Sequence, residues 1–247
     1  MANEKVIDEM ASVKSDVRKR LDEAVAAILA LAWAYRKEGF RFEDYPELDL
    51  QVNNILQALS DDNLLDAEKR ARKLLESLEL AEWGDESLEY AEREIDGEDA
   101  LWRLDMHASH LKELLAGWIV VAAINGWPKA KVKHMFYTYI NDPSLCKEWV
   151  DAGLTRPKWG TGYAVNVVNG MAVIGQDAIN SAFQYASIQK FKTMGAIGYR
   201  TVRRSNYHCP FCDEMTKKIW PLDVVALPYH PRCVCEAIPV FENDARD

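Results

Sequence analysis

The chain has 247 residues, 49% of them hydrophobic and 28% charged, which excludes wholesale disorder and allows one large domain or two modest ones. Its formal net charge of −9 excludes a protein that coats nucleic acid over its whole surface. The charge is uneven: 81–100 carries nine acids and one base, whereas 186–218 holds Lys190, Lys192, Arg200, Arg203, Arg204, Lys217 and Lys218 against Asp213 and Glu214.

The opening MANEKVIDEM lacks a basic start followed by an apolar core, so no secretory signal is expected. Val6, Met10, Val13, Val17, Leu21, Val25, Ile28 and Leu31 recur at helical spacing. They predict one amphipathic helix over about 4–37, with Gly39 as its stop. DYPELD (44–49) reads as a turn or helix start. A second helical region follows through Val52, Ile55, Leu56 and Leu59, then Leu64 to Leu78, with SDDN (60–63) as a break or cap. The acidic stretch 81–100 reads as a loop with a short helix. A strong helix is predicted over about 99–124, and another from Pro128, a residue favoured in a first helical turn. NDPS (141–144) is a turn, and GLTRPKWGTGY (153–163) a linker or shaped loop. A long helix covers about 165–193. After Gly195 the period changes to two, predicting strands at 197–204, 217–222 and 235–241. The apolar runs 24–35 and 114–127 fall short of the roughly 20 residues that span a bilayer, so they read as buried helices and no membrane partner is expected.

The expected fold is mainly α: a helical body with a small C-terminal β module pinned by a Cys/His zinc knuckle. Its regions are 1–140, helical; 141–164, connecting; and 165–247, a long helix plus the β module.

That module holds the chemistry. NYHCPFCDEMTKKIWPLDVVALPYHPRCVC contains four of the five cysteines and two of the five histidines. Zinc takes four thiolate or imidazole ligands, and a C-x2-C turn followed 15–20 residues later by a second knuckle supplies them. Cys209 and Cys212 form the first knuckle; His230, Cys233 and Cys235 offer the second. Cys209, Cys212 and Cys233 are the core ligands, His230 is placed fourth, and Cys235 stands in reserve. His208 is a bystander on spacing. Reduced cysteines packed in a small β core without metal, or a redox dithiol at CPFC, are the alternatives. Zinc deaminases need H-x-E, which does not occur in this chain. A thioredoxin-like dithiol belongs at a helix start within a βαβ pattern, which this α-rich chain does not show. Cysteines crowded at one locus do not suggest a disulfide framework, and Cys146 reads as a buried inert thiol. His107 and His110 share a helix face, but with no third ligand they read as a polar or interface stripe. The acidic run lacks a calcium-loop pattern, and no phosphate-cradling or nucleophile-elbow motif occurs. Enzyme activity is not expected.

The segment from GQDAINSAFQYASIQKFKTMGAIGYRTVRR through HCPFC, KKIWPL and YHPRCVC resembles the phage head morphogenesis domain, the Mu F-like minor head protein family. The resemblance covers about 165–241. Cys209 and Cys212 fall on the family's first knuckle, Ile219 and Trp220 on its short strand, and His230, Pro231, Cys233 and Cys235 on its closing H-P-x-C-x-C. Val234 stands where Arg is usual, GQDA (175–178) replaces an Arg-Thr-Glu run, and EMTKKIW lacks the common Asp-Gly turn. The resemblance implies a minor capsid protein of a tailed phage or prophage, located inside the virion head and in the host cytoplasm during assembly. It implies association with the portal protein, and with major capsid or scaffolding protein, and a role in head assembly and the handling of packaged DNA. The seven Lys/Arg of 186–218 are candidate DNA-phosphate contacts, and a knuckle whose main task is DNA binding is the second expectation.

Overall fold

The computed structural model describes residues 2–93, 98–141, 147–152, 166–205, 208–230 and 232–243. Among these, the helices are α1 (Ala2–Ala32), α2 (Pro46–Ser77), α3 (Gly84–Ala91), α4 (Ala100–Asn125), α5 (Lys129–Asn141), α6 (Lys147–Asp151), α7 (Val167–Thr193) and α8 (Pro210–Met215). The strands are β1 (Gly198–Val202), β2 (Ile219–Trp220) and β3 (Glu236–Val240). The fold is mainly α with a small C-terminal three-stranded sheet, as the periodicity predicts. Of the expected turn at 141–144, Asn141 is the last residue of α5; the rest of it, the loop at 153–163 and Cys146 fall outside the described residues.

Three boundaries differ from expectation. The first helix is α-helical only to Ala32 and ends in a 3₁₀ turn, Trp33–Tyr35, ahead of Gly39 at φ +69. SDDN does not interrupt α2. Asn63 turns its amide back to the Leu59 carbonyl at 2.8 Å and accepts a hydrogen bond from Arg20 at 2.6 Å, so its polar atoms are satisfied without a break. In the acidic stretch a 3₁₀ turn (Ala81–Trp83) runs directly into α3, so helix covers more of it than expected.

The chain divides into two units. One comprises Lys14–Asn63 and Leu101–Ala172; the other comprises Met1–Val13, Leu64–Ala100 and Val173–Asp247. The division falls within α1, α2 and α7 and after the first residue of α4, so neither unit is one continuous stretch of chain.

The first unit has an all-helical core. Val17, Leu21, Val25, Ile28, Val52, Leu111, Leu115, Val132 and Phe136 are all buried. Trp118, wholly buried, meets Tyr139 at 5.8 Å, Trp149 at 5.2 Å and Trp127 at 6.3 Å between ring centroids. Truncating such a side chain to alanine removes about 3–5 kcal/mol. Two glycines let aromatic rings lie against a helix backbone. A Cβ at Gly117 would sit 2.1 Å from the Trp149 ring, and one at Gly170 would sit 2.1 Å from the His107 ring. His107 is half-buried, and its Nδ1 is buried with no hydrogen-bond partner. His110 lies 6.1 Å away, ring to ring.

The second unit joins helices to the β module. Arg70 of α2 bonds Glu9 at 3.0 Å and Ser12 at 2.6 Å on α1, and Asp66 at 2.7 Å on its own helix. Gln176 of α7 donates to the Met10 carbonyl at 2.8 Å. The sheet is antiparallel in order β2-β1-β3, with Tyr199 opposite Trp220 and Pro239, and Arg200 opposite Ile219 and Ile238. Alternation puts Tyr199 and Thr201 inside and Arg200 outside. The free edge of β3 is closed chemically: Ala237 gives its N–H to Gln184, and Pro239 has none.

Burial holds the His107 imidazole neutral, its pKa lowered from 6.5 to about 4, with the neighbouring His110 adding repulsion. The unfolded chain therefore takes up a proton that the folded chain refuses. Between pH 6.5 and about 4 stability is expected to fall as pH falls, by at most about 1.4 kcal/mol per unit. Denaturant melts of wild type and His107→Gln across this range check it: the variant should show a shallower acid slope, and equal slopes refute the assignment.

Candidate metal centre

β1 leads into Cys209, whose extended backbone caps α8, and Pro210 occupies the first helical position. The Asp213 N–H returns to the Cys209 carbonyl at 3.0 Å, closing the turn that sets Cys209 and Cys212 on one side. The second knuckle is a turn in which the Cys233 N–H bonds the His230 carbonyl at 3.0 Å. Arg232 there takes φ +63, a left-handed conformation that costs a non-glycine residue about 1–2 kcal/mol. Its N–H donates to Asp177 Oδ1 at 3.0 Å, which holds the turn in place.

These turns bring all five expected ligands together. His230 Nε2 lies 3.4 Å from Cys209 Sγ and 2.9 Å from Cys212 Sγ, and Cys212 Sγ lies 4.0 Å from Cys233 Sγ. The donor atoms form two triads, Cys209/Cys212/His230 and Cys212/Cys233/Cys235, each with its members within 4.8 Å of one another. Cys212, Cys233 and Cys235 are buried, whereas Cys209 and His230 are half-exposed. The four thiols form no disulfide. In a tetrahedral zinc site two sulfurs stand about 3.8 Å apart, and a sulfur and a nitrogen about 3.5 Å. The observed separations are close to that pattern, so the residues present can hold a metal ion.

The electrostatics favour one. The Cys233 thiol is held well below its ordinary pKa, first by a hydrogen bond from Cys235, then by the backbone N–H groups of Cys235 and Tyr229 and the charge of His230. Burial, then the nearby Cys233, pushes Cys212 up to about 12. Cys235 is raised as well, by its bond to Cys233 and by burial. One thiolate therefore forms most readily, and the next meets its charge among buried sulfurs. A divalent cation removes that conflict.

Sequence reasoning missed the support beneath the second knuckle. Asp177, Asn180 and Gln184 lie on one face of α7 and are all buried. Asn180 donates to the Cys233 carbonyl at 2.6 Å, and Gln184 donates to the Cys235 carbonyl at 3.1 Å and to Asn180 Oδ1 at 3.1 Å. Asp177, Asn180 and Gln184 at helical spacing, on one face of a helix rich in Ala, Val and Ile, were the available signal. The 224–227 segment is tied down by tyrosines: Tyr199 bonds Val224 and Ala226, each at 2.9 Å, and Tyr90 donates to Val225 at 2.8 Å. Cys212, Cys233 and Cys235 themselves belong to the module's core, with Ile188, Tyr199, Leu227 and Ala237.

CPFC does begin a helix, which the strand-only reading of this region lacked, but the sheet around it is wholly antiparallel and contains no βαβ unit. His208 faces Asp213 at 3.2 Å and is exposed, outside both triads. His107 and His110 belong to no metal-competent group among the described residues. Of the seven basic residues, Arg203 pairs with Asp213, Arg204 with Glu236 at 2.6 Å and Lys217 with Glu214 at 2.9 Å. Lys218 lies 5.7 Å from the Trp220 ring centroid and Lys192 bonds Gln189 at 2.8 Å. Arg200 is exposed and Lys190 half-exposed. No helix among the described residues is long and apolar enough to cross a membrane. No family model, curated protein or solved structure matches the chain.

Removing the Asn180 amide leaves the buried Cys233 carbonyl unpaired, a loss of about 1–3 kcal/mol. Support of this kind typically accounts for about 10–100-fold in metal affinity. Asn180→Ala should therefore hold a metal ion at least tenfold more weakly than wild type in a chelator competition. Wild-type affinity in that variant refutes the clamp.

Proposed function

We propose that the chain is a minor head protein of a tailed phage or prophage, associated with the portal, whose C-terminal module is stapled by a structural zinc ion. The observation that carries this reading is the convergence of both knuckles of the C-P-x-C and H-P-x-C-x-C pattern on one cluster. Cys209, Cys212 and Cys233 would hold the ion, with His230 as fourth ligand. Thiolate and imidazole donors suit zinc better than magnesium or calcium. When bound, zinc neutralises the thiolates and cross-links the β1–α8 turn to the loop that leads into β3, adding its binding energy to folding. The role is structural: three of the four thiols are buried, and a closed site offers a substrate no open position. The helical body and its acidic 81–100 segment would dock on portal, coat or scaffolding subunits, inside the head and in the host cytoplasm during assembly.

The purified chain should carry about one zinc, lost in Cys209→Ser and in Cys233→Ser, and chelator should loosen the module. Co-purification with the portal supports the assembly role, and virions that contain none of this protein overturn it.

A second reading, DNA contact as the main task, rests on Lys190, Lys192, Arg200 and Lys218, which have no ion-pair partner among the described residues. The pairs made by Arg203, Arg204 and Lys217 leave those residues with less charge to offer phosphate. A salt-titrated shift assay decides: binding that weakens in Arg200→Ala/Lys218→Ala with zinc content intact supports the reading, and no binding at low salt removes it.

A further inference from the structure

A tetrahedral ion needs four donors, and this pocket holds five. Cys212 belongs to both triads. Its Sγ is 2.9 Å from His230 Nε2 and 4.0 Å from Cys233 Sγ. Cys235 is as buried as Cys212, at 3% exposure each, and its sulfur lies within 4.8 Å of Cys212 and Cys233. The carbonyls of Cys233 and Cys235 are both fixed by α7 through Asn180 and Gln184, which holds the backbone of Cys235 in place with its sulfur beside those of Cys212 and Cys233. The charge balance also allows Cys235 as a ligand. Three thiolates with zinc carry a net −1 and four carry −2. Arg203 rests its guanidinium on Asp213, the residue that follows Cys212.

We propose that the centre is a five-donor zinc site in which Cys209, Cys212 and Cys233 are constant and the fourth position is exchanged between His230 and Cys235. The inference rests on the zinc-staple reading above. The exchange is not a redox step: the bond from zinc to His230 Nε2 breaks, the bond from zinc to Cys235 Sγ forms, and the thiol proton passes to the vacated imidazole nitrogen. The net charge of the module is unchanged.

The test uses the full chain, with zinc content measured directly and the ligand set read from the absorption of the cobalt-substituted protein. His230→Ala and Cys235→Ala should each keep one metal per chain, and His230→Ala/Cys235→Ala should lose it. In His230→Ala the sulfur-to-cobalt band should gain about one third over Cys235→Ala, four thiolates against three. His230→Gln and Cys235→Ser repeat the pair with different side-chain volumes, so that a failure to fold in one variant does not decide the result. Loss of metal in both substitutions at either position, or two metals per chain, overturns the exchange and leaves the staple standing. A wild-type chain that binds no metal overturns both.

Discussion

Burying three sulfhydryls beside a fourth and an imidazole is the constraint on which the C-terminal module depends. Its sheet has strands of five, two and five residues, too little surface to build a core alone. Cys212, Cys233 and Cys235 fill that core in place of aliphatic side chains. A sulfur core packs adequately while reduced, and becomes a cross-link once a cation draws the thiolates together. The same atoms that pack this core can also hold a metal ion.

The module is not left to the sulfurs, however. α7 presents Asp177, Asn180 and Gln184 to the turn and strand that carry Cys233 and Cys235, and each bond goes to the backbone of that segment. Buried polar groups without partners would be strongly destabilising, so these side chains and backbone groups satisfy each other or neither. The clamp also lets Arg232 hold its left-handed backbone and closes the free edge of β3. The second knuckle is thus shaped by the helix, while the first knuckle is shaped by its own turn at the start of α8.

Local pairing changes the meaning of the basic patch. In the sequence seven cations against two acids suggest a surface for phosphate. In the fold Glu236, far along the chain, meets Arg204, and Asp213 is engaged by both Arg203 and His208. The remaining attraction for an anion is smaller and concentrated on fewer residues.

The helical repeats of α1, α4 and α7, the period change after Gly195 and the two-knuckle spacing were all legible in the sequence, because each is a local pattern of residue type against distance along the chain. The five donors could be named from spacing alone. Which of them touch could not, because His230 and Cys209 are brought to 3.4 Å by two separate turns and a sheet register. The continuity of α2 through SDDN depended on Arg20 reaching Asn63 from another helix. The α7 clamp was equally hidden: Asn180 and Gln184 read as ordinary polar residues until the chain folded back more than fifty positions later. Residue type and spacing set the donors and the elements; only the tertiary structure decided their partners, because hydrogen bonds and ion contacts form between groups distant in sequence.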